Sequence, residues 1–323
     1  MNISITGAAG LIGKSLVKRL ILKGHTVKAM DFKEKFNRDK EYLKFVKKKG
    51  IEVIYGSILN KAKCKLLVKD SSLIIHLAAV LGVKNTEKKK KYCLNVNFGG
   101  TKNIINLIKK EKKRLIFASS SEVYGEPDKN PIDEKSKLKG KSVYAISKIL
   151  SEKEIINQSK KYKNFSFTIL RFFNTYGEDQ VAQFLIPKFI NNIKKKKALI
   201  INGNGNQLRG YLYVDDVVEG ICSILLRPKV SKNKIYNLGN SSEVYNIYQV
   251  AKKILRLSKS QNKILFKNNF QGSDRSQKRE IFFRISDCSL AKKQLNFVPK
   301  IKLESGLKKM LKRNFYFENW IYR

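Results

Sequence analysis

The sequence predicts an α/β fold, a doubly wound parallel sheet with a smaller, mostly C-terminal α/β cap. Two observations carry this expectation. Short apolar strands alternate with segments of helical periodicity from Asn2 to Arg171, the pattern of parallel strands joined by right-handed crossovers. Beyond Phe172 the alternation loosens into turn-rich stretches such as residues 202–206, with no internal repeat and no Gly/Ser linker, as in a cap fused onto the first unit. The expected boundaries are 1–172 for the sheet domain, with 212–245 returning to it, and 173–211 with 246–323 for the cap.

The first thirteen residues organise the chain. Asn2-Ile3-Ser4-Ile5 reads as a buried strand, residues 6–13 as a glycine turn, and Leu16, Val17, Leu20 and Ile21 recur at helical spacing. Gly7, Gly10 and Gly13 suit a tight turn, the approach of a pyrophosphate to the backbone, and close packing of helix on strand. The N–H groups of Leu11, Ile12 and Gly13 open the helix, where its dipole favours phosphate. Glycine turns also serve ordinary strand–helix packing. The flanking strand and helix make this one a Rossmann-type dinucleotide site.

The second strand runs from His25 to Asp31, eighteen residues past Gly13. An acid there is set to bind both ribose hydroxyls and to repel a 2′-phosphate, which favours NAD over NADP. Lys28, Lys33 and Lys35 work the other way. A third strand, 51–55, closes at Gly56-Ser57-Ile58. The fourth, 73–79, is apolar on both faces, as a central parallel strand must be, and brings Leu77 and the small Ala78 and Ala79 beside the cofactor. One long helix is expected from Tyr92 to about Lys110, with Asn97, Gly100 and Thr101 near its start. The fifth strand, 114–118, ends in Ser119-Ser120-Ser121-Glu122-Val123-Tyr124-Gly125. A helix from Val143 to about Tyr162 leads to the sixth strand, 167–171. Asp215-Asp216 suit a helix start, and 235–239 reads as one more strand.

Tyr144 and Lys148 lie four apart on the predicted Val143 helix and share a face. A tyrosine beside a lysine and a nicotinamide ring sees two positive charges, which lower its pKa toward use as a base. Ser120, at a neighbouring strand end, points into the crevice where such sheets bind ligands. Its hydroxyl can share a substrate alcohol's proton with Tyr144 while hydride passes to the nicotinamide. Tyr-x-x-x-Lys alone is a frequent accident on a solvated helix face. Here the glycine turn, Asp31 and the serine run precede it in order.

On these residues the chain resembles the extended short-chain dehydrogenase/reductases of the nucleotide-sugar epimerase/dehydratase family. The likeness covers nearly all of it, including residues 171–177 and Gln207-Leu208-Arg209 before Tyr213-Val214-Asp215-Asp216. The resemblance implies oxidation of a sugar C4 hydroxyl by bound NAD, with Tyr144 as base, Lys148 on the nicotinamide ribose and Ser120 as hydroxyl partner. It adds Ser57, Ile58, Asn97 and Ser119 to the cofactor contacts and Ser121 to the substrate contacts. Asn174 and Arg209 would grip the substrate diphosphate, with Arg275 or Arg279 as a second arginine. A bidentate guanidinium suits that anion better than lysine does. Two departures stand out. Family members often carry Asp where this chain has Ser57, near the adenine. Glu122 occupies a position that is glutamate in many members eliminating water or carbon dioxide and small in many epimerases. It is either a C5 base or a hydrogen bonder behind the site. The Asp of a dehydrating Asp-Glu pair is replaced by Ser121. A 4-epimerase is the favoured net reaction, with 4,6-dehydratase, decarboxylase and C4 dehydrogenase as alternatives. The resemblance also implies a homodimer through the 92–110 and 143–162 helices, the former carrying Ile104, Ile105, Leu107 and Ile108 as apolar surplus.

The bulk properties describe a globular chain of 42% hydrophobic residues. Its longest apolar stretch, 73–83, is too short to span a bilayer. Four scattered cysteines and two histidines signal neither a disulfide framework nor a metal site, which points to a reduced, cytoplasmic protein. The net charge of +42 suits a polyanion partner or reflects composition, and a non-catalytic Rossmann protein binding RNA is the competing class. Only 12 of 68 basic residues are arginine, and lysine runs are spread along the chain, so no specific nucleic-acid partner is expected. The last eleven residues, 313–323, hold six large apolar or aromatic side chains, and Phe315, Phe317 and Trp320 are expected to dock on the cap rather than on a membrane.

Overall fold

Strand and helix alternate in the first half as the apolar spacing requires. β1 (Asn2–Thr6), α1 (Leu11–Leu22), β2 (Thr26–Asp31), α2 (Lys33–Arg38), α3 (Lys40–Lys48), β3 (Glu52–Tyr55), α4 (Lys61–Val68) and β4 (Leu73–His76) form the first block. α5 (Val83–Lys88), α6 (Lys90–Leu94), a π-helical turn (Asn95–Gly99), α7 (Gly100–Ile108), β5 (Arg114–Ser120), a 3₁₀ turn (Ser121–Tyr124), α8 (Val143–Lys161) and β6 (Ser166–Phe172) form the second. The computed structural model describes residues 1–268 and 280–316, with backbone alone at 83–85.

The remaining elements are β7 (Thr175–Tyr176), α9 (Leu185–Lys194), β8 (Leu199–Asn202), β9 (Leu208–Gly210), β10 (Leu212–Tyr213), α10 (Val214–Leu226), β11 (Lys234–Leu238), β12 (Val244–Asn246), α11 (Ile247–Ser258), β13 (Ile264–Lys267), β14 (Phe283–Arg284), α12 (Ser289–Leu295) and α13 (Leu303–Leu311). Seven strands pair in the order β11-β6-β5-β4-β1-β2-β3, every pairing parallel. The strand order reverses between β1 and β4, which opens a crevice at their carboxyl ends. β11 is the strand expected at 235–239, and it joins the large sheet at its edge beside β6. The short sheets β10-β7, β12-β9-β14 and β13-β8 lie apart from it.

Packing follows the sheet's two faces. One apolar cluster joins α1, α3, α10 and α12 to the sheet, a second joins α4, α7 and α8, and a third joins α9, α11 and α13 with β8 and β10. The helix expected from Tyr92 to Lys110 is interrupted, because Asn95–Gly99 widens into a π turn. Each of the three residues noted near its start has a separate reason. Asn97 clasps Val80, accepting from its N–H at 2.7 Å and donating to its C=O at 3.2 Å. A Cβ at Gly100 would lie 2.4 Å from Ile58, so glycine lets α7 close on that loop. Thr101 reaches His76. Ile104, Ile105 and Ile108 are fully buried within the chain and Leu107 packs on the same cluster, so the apolar surplus offered for a dimer is used internally.

The tail is held as far as it is described. Phe315 is buried in the cap cluster, its carbonyl accepts from Asn191 Nδ2 at 2.8 Å, and Tyr316 O accepts from Ala182 N at 2.8 Å. Phe317 and Trp320 lie outside the described residues.

α8 is fastened to the sheet by an ion pair. Arg171 on β6 donates from Nη2 to Glu152 Oε2 at 2.6 Å and from Nε to Oε1 at 3.1 Å, both side chains being almost wholly buried. Glu152→Ala, which leaves the Arg171 guanidinium uncompensated, should cost roughly 3–5 kcal/mol of stability. Chemical denaturation measures this, and an unchanged midpoint would mean that α8 is held by other contacts.

Candidate functional site

The glycine turn is built by sterics that only glycine satisfies. Gly7 has φ +72°, and a Cβ there would meet the backbone of Ala78 at 2.8 Å. A Cβ at Gly13 would lie 2.1 Å from Gly7 O, so α1 can start tight against the turn. Its first N–H groups therefore face the crevice. The backbone of β4 beyond His76 is fixed by a buried relay. Thr101 donates to Asn97 O at 2.5 Å, so His76 Nε2 donates to Thr101 Oγ1 at 3.0 Å, and Nδ1 accepts from Thr6 Oγ1 at 2.6 Å. Ala78 N donates in turn to Thr6 Oγ1 at 3.2 Å. Burial, helped by the Lys148 charge, lowers the His76 pKa to about 3, so the ring is neutral and this relay is stable across working pH.

A cavity of about 490 Å³ lies above these strand ends. Gly7, Gly10, Leu11, Ile12, Gly13, Asp31, Ser57, Ile58, Leu77, Ala78, Ala79 and Ser119 all line it, as do Tyr144 and Lys148. The three-glycine cradle, the open helix N-terminus and the acid at the end of β2 fit a dinucleotide. Asp31 is already partly engaged, accepting from Ala9 N at 3.1 Å and from Phe32 N at 2.9 Å, with Lys35 Nζ at 3.9 Å. Asn97, expected among the cofactor contacts, is not in this lining; its side chain holds Val80 and donates to Ser147 Oγ on α8 at 3.0 Å.

Ser120, Ser121 and Glu122 line the same cavity. Ser120 ends β5 and its Oγ accepts from Glu122 N at 3.2 Å, capping the 3₁₀ turn. Lys148 is buried and donates from Nζ to Ala118 O at 2.7 Å. Its pKa is lowered to about 8 by burial, against the Cys93 and Glu152 charges. Set by the protein's own groups, without a nicotinamide ring's charge, the Tyr144 pKa is raised. Burial pushes it well above the usual phenol range, Glu122 and Cys93 add to that, and the hydrogen bond with Ser120 acts against it. The low-dielectric site around Tyr144 thus disfavours its phenolate, and positive charge brought by a cofactor would have to overcome that.

On the cap side, Asn174 lines the cavity in a left-handed conformation, φ +37°, and donates to Gly210 O at 3.3 Å. Arg209 also lines it, but both terminal nitrogens are committed: Nη2 to Glu280 Oε1 at 2.9 Å and Ile281 O at 2.5 Å, Nη1 to Leu208 O and Phe282 O. A diphosphate gripped by Arg209 would have to displace Glu280. Arg275 and Arg279 lie outside the described residues. The residue that sequence reasoning missed is Arg284 on β14. Its Nη1 donates to Glu122 Oε1 at 2.5 Å, both side chains are buried, and both line the cavity. Only the scarcity of arginine hinted at it, since nothing local separates it from its neighbours at 275 and 279. Among the described residues, no cluster of His, Cys, Asp or Glu is arranged to hold a metal, and no helix is long and apolar enough to cross a membrane.

Lys148→Met should remove turnover yet raise the melting temperature of the cofactor-free protein at pH 7. The folded pKa is depressed, so the cost of burying this amine is present below about 8. It fades as pH rises toward the unfolded value, and the advantage of the variant should shrink over the same range. Melting curves at pH 7 and pH 10 check it, and a destabilised variant at pH 7 would refute it.

Comparison with known proteins agrees with this geometry. The model of the NAD dependent epimerase/dehydratase family matches residues 3–239. A UDP-N-acetyl-alpha-D-glucosaminuronate decarboxylase of Bacillus cytotoxicus is 34% identical over 322 residues, covering 95% of each chain. UDP-glucuronate 4-epimerase 4 of Arabidopsis thaliana is 28% identical, covering 97% of this chain and 75% of that one. Among solved structures, UDP-glucuronic acid 4-epimerase from Bacillus cereus, in complex with UDP-glucuronic acid and NAD, superposes with a TM-score of 0.86 at 25% identity, covering 97% and 98% of the two chains.

Proposed function

The chain belongs to the NAD-dependent epimerase/dehydratase family of NAD-using enzymes, and from that premise we propose that it oxidises C4 of a nucleotide-linked hexuronic acid and removes its carboxylate as carbon dioxide. The observation that carries this reading is the buried Arg284–Glu122 pair in the cavity that holds Tyr144. A guanidinium there can take a sugar carboxylate in a two-bond contact, which a neutral hexose does not offer. The decarboxylase and 4-epimerase relatives named above act on, or bind, uronic acid sugars, which supports the same substrate class. For this chain the net reaction expected from sequence was 4-epimerisation. We place decarboxylation ahead of it because Glu122 stands in this cavity beside Arg284, whereas Arg284 alone would serve either uronate reaction.

Bound NAD supplies the hydride acceptor. Tyr144 takes the proton of the C4 hydroxyl, Ser120 holds that oxygen, and Lys148 keeps positive charge beside the phenol. The ketone formed at C4 stands β to the C6 carboxylate. The C5–C6 bonding electrons then move toward the C4 carbonyl as carbon dioxide leaves. C5 regains a proton drawn from solvent, which Glu122 relays to it, and Tyr144 returns the proton it took to O4 when C4 is reduced again. The second reading, a 4-epimerase, uses the same Tyr144 and Ser120 but reduces the ketone on its other face, with Arg284 only holding the carboxylate. Pairing of two copies through α8, where Ile146 is 42% exposed, belongs to the same reading, and light scattering decides it.

Purified protein incubated with UDP-glucuronate, UDP-N-acetylglucosaminuronate and UDP-glucose tests the proposal. Loss of the mass of carbon dioxide is expected from one or both uronates and no change from UDP-glucose. An unchanged mass with inverted C4 by NMR would establish the epimerase, and loss of water would overturn both readings. Tyr144→Phe should keep NAD binding and lower turnover by roughly 10²–10⁴-fold. Near wild-type turnover would remove Tyr144 from the chemistry.

A further inference from the structure

Tyr316 has no part in the chemistry above, yet the chain holds it in a defined place. Its carbonyl accepts from Ala182 N at 2.8 Å, and the carbonyl before it accepts from Asn191 Nδ2 at 2.8 Å. Phe315 is sunk in the cap cluster, and Lys194 Nζ donates to Arg313 O at 2.5 Å and Asn314 Oδ1 at 2.8 Å. Four successive residues are thus fixed to the cap, and the Tyr316 ring stays 43% exposed. The ring meets Arg38, whose guanidinium carbon lies 5.4 Å from its centroid. Arg38 ends α2, the helix that begins two residues after Asp31, and Tyr316 lines the coenzyme cavity together with Asp31, Phe32 and Lys35.

A second tie lies close by. Lys14, in the first turns of α1, is buried and bonds Asp39 Oδ2 at 2.8 Å and Asp179 Oδ1 at 3.0 Å. Burial lowers its pKa, but the two carboxylates outweigh that and raise it, so the amine stays charged. Asp179 precedes Ala182 in the loop that also lines the cavity. Arg38 and Asp39 are neighbours in sequence. The segment between α2 and α3 is therefore tied to the cap twice, through Asp39 with Lys14 and Asp179 and through Arg38 with Tyr316. Both ties fall on the segment that follows β2, and Asp31, Asp179 and Tyr316 line one cavity; an acid at the end of β2 is where this fold takes a coenzyme's adenosine ribose.

We propose that Arg38 and Tyr316 form a clasp across the adenosine end of the cavity, with the tyrosine ring a coenzyme contact, so that NAD is retained from one turnover to the next. The inference rests on NAD as coenzyme and holds for the decarboxylase and the 4-epimerase reading alike. It suits any chemistry in which the hydride taken from C4 is later returned, because such a cycle needs no exchange of coenzyme.

The test uses full-length holoenzyme. NAD retained through gel filtration is measured, and NADH release into excess NAD is followed by its fluorescence. Tyr316→Ala and Arg38→Ala should each speed release roughly three- to thirty-fold, the range of a cation–π contact. Tyr316→Phe, which keeps the ring, should release at the wild-type rate, and the double alanine variant should release no faster than Tyr316→Ala alone. Release at the wild-type rate from Arg38→Ala or Tyr316→Ala, or full additivity of the pair, would overturn the proposal. If Tyr316→Ala does not fold, Arg38→Ala with Tyr316→Phe still decides it.

Discussion

The buried ion pair between Glu152 and Arg171 is the interaction on which the geometry of the site depends. Tyr144, Lys148 and Glu152 follow one another at intervals of four on α8, so fixing Glu152 fixes the rotation of the helix that presents the other two. Glu152 also accepts from Ser119 at the end of β5. Arg171 extends the network, donating from Nη1 to the Tyr124 hydroxyl at 2.9 Å, and Tyr124 donates to Asn237 Oδ1 at 2.6 Å. The network thus links α8, β5, the 3₁₀ turn, β6 and the edge strand β11. A buried pair contributes little net stability unless its remaining donors and acceptors are met. Here they are met by groups on separate elements, which turns an electrostatic contact into a positional one.

Desolvation dominates the electrostatics around that network. It keeps His76 neutral, lowers the Lys148 amine and raises the Tyr144 phenol. The same low dielectric strengthens every charge later brought into the cavity. A site of this kind is poorly set to ionise Tyr144 by itself and strongly responsive to a cationic ring placed beside it. The neutral His76 relay serves a different end, holding the Ala78 backbone against Gly7 so that the cradle keeps its shape.

The distribution of cations also explains the charge of the chain. Among the described residues, the buried cations are Lys14, Lys148, Arg171, Arg209 and Arg284, and the three arginines all sit in ion pairs at or behind the cavity. Arginine forms such buried, two-bonded contacts better than lysine does. Most of the described lysines keep their amines at the surface, where charge acts on solubility and on salt-sensitive contacts with polyanions.

Short-range chemistry was legible in the chain itself. The strand, glycine turn and first helix, the acid at Asp31, the Tyr144–Lys148 face and the seven strands of the main sheet follow from periodicity and from glycine sterics, which act over a few residues. Asn97 was expected as a cofactor contact, and the contacts it makes here, with Val80 and Ser147, depend on which surfaces the π turn brings together. Glu152 stood in the same four-residue series as Tyr144 and Lys148, yet its partner Arg171 is on another element. Arg284 meets Glu122 across 162 positions, and Arg209 meets Glu280 across 71, after β9 and β14 pair in the cap. Spacing along a helix or strand determines which side chains share a face. Which of those faces meet, and therefore which ions are buried together, is decided only when sheet and cap close on one cavity.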